Sequence, residues 1–114
     1  MPTDVTRFIQ ELDAGVFEEK VSRALAEVSA SVIDNNKTGS VTLKFDLQRI
    51  GSSYQVAVKH KLSYVKPTSK GKVSEENSTE TPMHVGAKGY LSIFPENQTQ
   101  LFTKTGGVDK QGSN

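Results

Sequence analysis

The apolar residues of this chain change their spacing once, near Gly39. Before it, Val5, Phe8, Ile9 and Leu12 recur at the three- and four-residue intervals of one helix face, with Thr3 placed to cap the first turn. After Gly15 a longer series, Phe17, Val21, Ala24, Leu25, Val28 and Val32, keeps that spacing, with Asp13 as a cap and Glu18 and Glu19 near the positive helix end. Asn35, Asn36 and Gly39 are residues that readily take the left-handed conformation at a helix end. The sequence therefore predicts two helices, or one helix bent at Gly15.

Beyond Gly39 the period falls to two. Val41, Leu43, Phe45 and Leu47 alternate with Thr42, Lys44, Asp46 and Gln48, as in a half-buried strand. Gly51, Ser52 and Ser53 supply a turn. A second alternation then sets Tyr54, Val56, Val58, His60, Leu62 and Tyr64 on one face and Gln55, Ala57, Lys59, Lys61 and Ser63 on the other, so the two runs form a long hairpin ending at Lys66 and Pro67. Residues 66–82 are rich in Lys, Pro, Thr, Ser, Gly and Glu without apolar periodicity, and a long exposed loop is the expectation there. A further strand is expected over residues 89–94, paired with residues 83–85 across a turn at 86–89 and stopped by Pro95. From Glu96 the chain is polar and Gly-rich except for Leu101 and Phe102, which predicts a flexible tail over residues 96–114.

The expected fold class is α+β: a single domain over residues 1–95, with one or two N-terminal helices packed on an antiparallel meander of three to four strands. A domain this small buries limited surface, and the regular stripe beginning at Phe17 also suits pairing with a copy of itself, so a homodimer is the expected assembly.

Composition removes several function classes. Among 114 residues there is no cysteine, which excludes disulfides, a thiol nucleophile and thiolate zinc sites, and the two histidines lie far apart. No metal and no cofactor are expected. No run approaches the roughly 18 apolar residues of a membrane span, and the first residues lack the basic and apolar blocks of a signal peptide. A cytoplasmic protein without a membrane partner is the expectation. His60 sits in the apolar register of its strand and reads as a core histidine, His84 has no evident partner, and Glu75, Glu76 and Glu80 stand among Ser, Thr and Asn as a solvated group. Lys70-Gly71-Lys72 and the 86–89 segment lack the spacing of a phosphate loop, and the Asn-x-Thr triplets at Asn36, Asn77 and Asn97 matter only in a secreted chain. The chain is not expected to be an enzyme.

The formal net charge of +1 conceals an uneven distribution. Residues 1–36 hold three basic and seven acidic residues, whereas residues 37–72 hold eight basic ones against Asp46 alone. The alternation turns Lys44, Lys59 and Lys61 to the solvent face of the sheet. With Lys66, Lys70 and Lys72 they form a basic stripe able to follow a DNA backbone, although no aromatic interleaves it to stack on single-stranded bases. The most specific short signal lies in the tail. Gln98-Thr99-Gln100-Leu101-Phe102 resembles the pentapeptide by which bacterial replication and repair proteins attach to the DNA sliding clamp, and Gln98, Leu101 and Phe102 match it while Thr99 departs from the commoner Leu.

Phe8-Ile9-Gln10-Glu11-Leu12, Gly15-Val16-Phe17, Gly39-Ser40-Val41-Thr42-Leu43, Val65-Lys66-Pro67-Thr68 and Thr81-Pro82-Met83-His84-Val85-Gly86 together resemble small accessory proteins of tailed phages and prophages. The resemblance covers about residues 5–95 and implies a phage origin, a bacterial host cytoplasm and action by binding rather than chemistry. It carries over no site residues. The function expected is a non-enzymatic phage accessory protein acting in DNA replication or recombination through the basic hairpin and a clamp-binding tail. The alternatives are a protein-interaction module that inhibits a host nuclease or defence complex, and a virion structural or assembly component.

Overall fold

The computed structural model describes residues 2–95. Helix α1 spans Val5–Glu11, a 3-10 turn covers Leu12–Gly15, and helix α2 runs over Val16–Asn35. Four strands follow: β1 Ser40–Arg49, β2 Gln55–Thr68, β3 Gly71–Val85 and the two-residue β4 Leu91–Ser92, reached through a short 3-10 turn at Ala87–Gly89. The sheet order is β1-β2-β3-β4 with every neighbouring pair antiparallel. The helices lie on one face of this sheet, the α+β arrangement expected.

Residues 66–82 are not a loop. β2 continues through Thr68, the chain turns over Ser69 and Lys70, and β3 returns in unbroken register from Thr68 opposite Gly71 to Gln55 opposite His84. At about 3.3 Å per residue the strands of 14 and 15 residues form a hairpin approaching 50 Å in length. Apolar alternation missed β3 because its helix-side residues are mostly polar, and they find polar partners there. The Lys20 ammonium donates to Asn77 Oδ1 at 2.9 Å and the Tyr64 hydroxyl donates to Glu75 at 3.0 Å. Pro67 is tolerated because its carbonyl accepts from Asn35 Nδ2, so its backbone polar side turns away from β3 and no ladder bond is lost.

The core is a single cluster of Phe8, Leu12, Phe17, Ala24, Val58, Leu62 and Met83, edged by Ile9, Val21, Val41, Phe45, Val56, Tyr64, Leu91 and Ile93. Phe45 makes T-shaped contacts with Phe8 and Phe17 at ring-centroid distances of 5.2 and 6.0 Å, which packs both helices over β1. The first half of the α2 stripe, Phe17, Val21 and Ala24, is thus spent on the chain's own sheet, while Leu25 stays half-exposed. Gly39 is required at the end of α2, since a Cβ there would lie 2.6 Å from Val28 Cγ1 and 3.0 Å from the Val65 carbonyl.

The helix boundaries differ from expectation in their chemistry. Asp4, not Thr3, caps α1 by accepting from the Arg7 amide, while the Thr3 hydroxyl accepts from Leu91 N–H and donates to the Gly89 carbonyl, tying the start of the chain to β4. Asp13 does not cap α2. Asp13, Ala14 and Gly15 all have positive φ, and this run of left-handed backbone turns the chain sharply between the helices. Asn36 is left-handed and ends α2, as its residue type suggests. The strand expected over residues 89–94 is reduced to Leu91–Ser92, pairing with His84 and Val85. Tyr54 lies outside β2 and is exposed, with the Arg49 guanidinium 5.8 Å from its ring centre.

Candidate interaction surfaces

Lys44, Lys59 and Lys61 do share the outer face of the sheet. Lys44 lies opposite Lys61, and Asp46 opposite Lys59, across the β1–β2 ladder. The stripe is not purely basic, however, because β3 is a strand and brings its carboxylates onto the same face: Glu80 stands opposite Lys59, and Glu76 binds the Lys61 ammonium at 2.8 Å. That hydrogen bond, reinforced by the carboxylate's charge, holds Lys61 above the ordinary lysine value. Lys44 reaches Asp46 of its own strand only at 4.0 Å. The centre of the outer face is therefore mixed in sign.

Lys66 faces the helix layer, not the solvent face, and pairs with Glu27 of α2 at 3.5 Å. Sequence alternation would have placed it there had β2 been carried past Tyr64. Lys70 and Lys72 occupy the apex of the β2–β3 hairpin. Neither makes a side-chain hydrogen bond or ion pair among the described residues. Lys37 joins them from the end of α2, its ammonium 2.8 Å from the Thr68 carbonyl. Lys59 also makes no ion pair among the described residues but stands opposite Asp46 and Glu80, whereas Lys70 and Lys72 at the tip have no acid opposite them. Sequence reasoning missed Lys37 because the contact depends on how far the hairpin extends. Gln98, Leu101 and Phe102 lie outside the described residues.

His60 is fully buried under α2, at the centre of the sheet. Phe17 packs on its ring at 4.7 Å, Thr79 Oγ1 stands 2.9 Å from Nδ1, and Thr81 Oγ1 stands 2.9 Å from Nε2. Thr81 Oγ1 also accepts the Asp13 amide at 2.9 Å. A neutral ring protonated on Nδ1 fits this arrangement, with the Thr81 hydroxyl donating to Nε2; the tautomer is assigned from the network. Burial lowers the His60 pKa. No carboxylate among the described residues hydrogen-bonds to the ring, and its two threonine contacts join the interhelical turn to β2 and β3. His84 Nε2 lies 3.2 Å from Gln55 Nε2 across the ladder. Among the described residues no three His, Asp or Glu side chains converge as a metal site requires.

Concave regions among the described residues include a shallow one around Ala14, Glu18 and Ser22. A cleft of about 500 Å³ near β4 is lined by Arg7, Lys88, Tyr90 and Phe94, but Arg7 is already held by Glu11 at 2.9 Å. A groove of about 470 Å³ between α2 and the start of β1 is lined by Leu25, Val28, Val32, Ile33 and Val41, and is mostly apolar.

The fold is thus a helical layer over a four-stranded antiparallel meander. The chain belongs to the YfdP family, whose pattern it matches over residues 4–91. It is 47% identical over 107 residues to an uncharacterised protein, YfdP, of Escherichia coli strain K12, an alignment covering 94% of this chain and 88% of that protein. No solved structure matches. Among the described residues no helix is long and apolar enough to cross a membrane.

Proposed function

We propose that this chain is a non-enzymatic accessory protein of phage or prophage origin that works in the bacterial cytoplasm by binding, and that it grips a DNA phosphate backbone with the tip of its β2–β3 hairpin. The observation that carries this reading is the pair Lys70, in the two-residue turn, and Lys72, at the start of β3, presented at the end of a hairpin of nearly 50 Å with no acidic partner among the described residues. Lys37 adds a third cation. The mixed-sign centre of the outer face is a poor phosphate track, because Glu76 and Glu80 would repel the backbone that Lys59 and Lys61 attract. Phage origin is supported by the sequence resemblance over residues 5–95.

The test is a salt titration of a fluorescent DNA duplex with the full chain and with Lys70→Glu/Lys72→Glu. Binding should strengthen as salt falls, and the charge-reversed protein should lose about two units of the log-log salt slope if each lysine neutralises one phosphate. Absence of binding at low ionic strength, or binding that the double variant leaves intact, sinks the proposal.

A further inference from the structure

β1 is a free edge. Its ten residues hydrogen-bond to β2 on one side only, and the register from Ser40 opposite Val65 to Arg49 opposite Val56 runs without interruption. Natural sheets blunt such an edge with proline, a bulge, extreme shortness or charged residues; β1 has none of the first three, and its charges, Lys44, Asp46 and Arg49, include both signs. The other free edge, β3 ahead of its short pairing with β4, carries Pro82 and an almost wholly polar sequence.

On its helix-side face β1 also leaves apolar surface uncovered. Leu43 and Leu47 are 38% and 50% exposed, and Leu25 and Ile33, which line the α2 groove beside the start of the strand, are 51% and 82% exposed. On the opposite face stand Lys44 and Asp46, both solvent-accessible. Lys44's cross-strand neighbour within the chain is a like charge, Lys61.

We propose that a second copy of this chain docks on β1, antiparallel and with Phe45 opposite Phe45 of the partner subunit, so that two sheets join into one of eight strands. Three features select this partner and this register. A two-fold axis through Phe45 sets Lys44 opposite Asp46 of the partner subunit and Asp46 opposite the partner's Lys44, two attractive pairs from one sequence. The same register sets Leu43 opposite Leu47 of the partner subunit, and Val41, at the apolar groove, opposite the partner's Arg49. Centring the axis on Lys44 or on Asp46 instead puts like charges face to face. Shifting by one residue turns the exposed leucines of one copy against the polar face of the other. This inference is independent of DNA binding at the hairpin tip.

The experiment measures the molar mass of the full chain by sedimentation equilibrium, alongside Lys44→Asp, Asp46→Lys and the double exchange Lys44→Asp/Asp46→Lys. The parent should be a dimer. Each single change converts two attractive pairs into two repulsive ones and should raise the dimer dissociation constant about tenfold or more, and the double exchange should restore it to within about threefold of the parent. Within its own chain Lys44→Asp gains an acid opposite Lys61 and loses the 4.0 Å approach to Asp46, so its loss of dimer is to be read against an unchanged fold. Thermal unfolding of each variant checks this directly. A parent that stays monomeric up to millimolar concentration overturns the proposal, and so does a dimer indifferent to the single changes or not rescued by the exchange.

Discussion

A single histidine ring carries much of the polar chemistry of the core. His60 is buried, and desolvation, the largest influence on it, lowers its pKa from the ordinary value of 6.5; Asp13 opposes that shift and Lys20 adds to it. The folded state therefore resists protonation. As pH falls, the unfolded chain takes the proton first, so the stability contributed by the neutral ring is complete above about pH 6.5 and is lost as pH drops below that value. Urea midpoints at about pH 7.5 and about pH 5.5 should fall further for the parent than for His60→Gln, whose side chain cannot acquire the charge. Equal losses in the two proteins would show that other groups set the acid limit. The sequence placed His60 in the core by its strand register alone. It could not reveal Thr79 and Thr81 as partners, since both lie in a segment whose apolar pattern is silent.

At the scale of elements, the turn between the helices is where local preference and fold disagree. Asp13 and Ala14 sit at φ near 50°, a left-handed conformation that costs an ordinary residue about 1–2 kcal/mol, followed by Gly15 at φ 88°. Packing on both sides holds them there: Leu12 and Phe17 enter the same core cluster, and the Asp13 amide is tied to Thr81. Ala14 is exposed, so Ala14→Gly removes the steric penalty without opening a cavity. We expect that change to stabilise the protein by about 1 kcal/mol or less, read as a higher urea midpoint with unchanged slope; a lower midpoint would mean that the turn carries no strain. The helices and the β1–β2 hairpin were legible because each buries an apolar face against the other. The helix bend was legible only as a glycine, and β3 was hidden, because a strand held by its ladder and by polar contacts to Lys20 and Tyr64 leaves no apolar period to read. Hiding β3 also hid the acids that break up the basic stripe and the inward turn of Lys66.

For the whole molecule, stability should be graded along the long hairpin. Around Val58 and Leu62, β2 is paired on both sides and covered by α2, whereas beyond Val65 it has outrun β1, and β3 from Gly71 to Ser78 is exposed throughout. Amide hydrogen exchange should run at least about tenfold slower for β2 amides between Val58 and Leu62 than for the β2-bonded β3 amides near the apex. Uniform protection along both strands would instead mean that the hairpin opens as one unit. Each strand pairs with its immediate successor in the chain, so the sheet can assemble hairpin by hairpin from short-range closures. The helices obey a different schedule. They are synthesised before the strands, but their apolar stripe has no cover until β2 and β3 exist, and the contacts that fasten them join Asp13 to Thr81 and Thr3 to Leu91 across 68 and 88 residues. On the ribosome, then, an amphipathic helix emerges uncovered ahead of the strands it packs on, and β4, the final strand among the described residues, is the latch that secures Thr3.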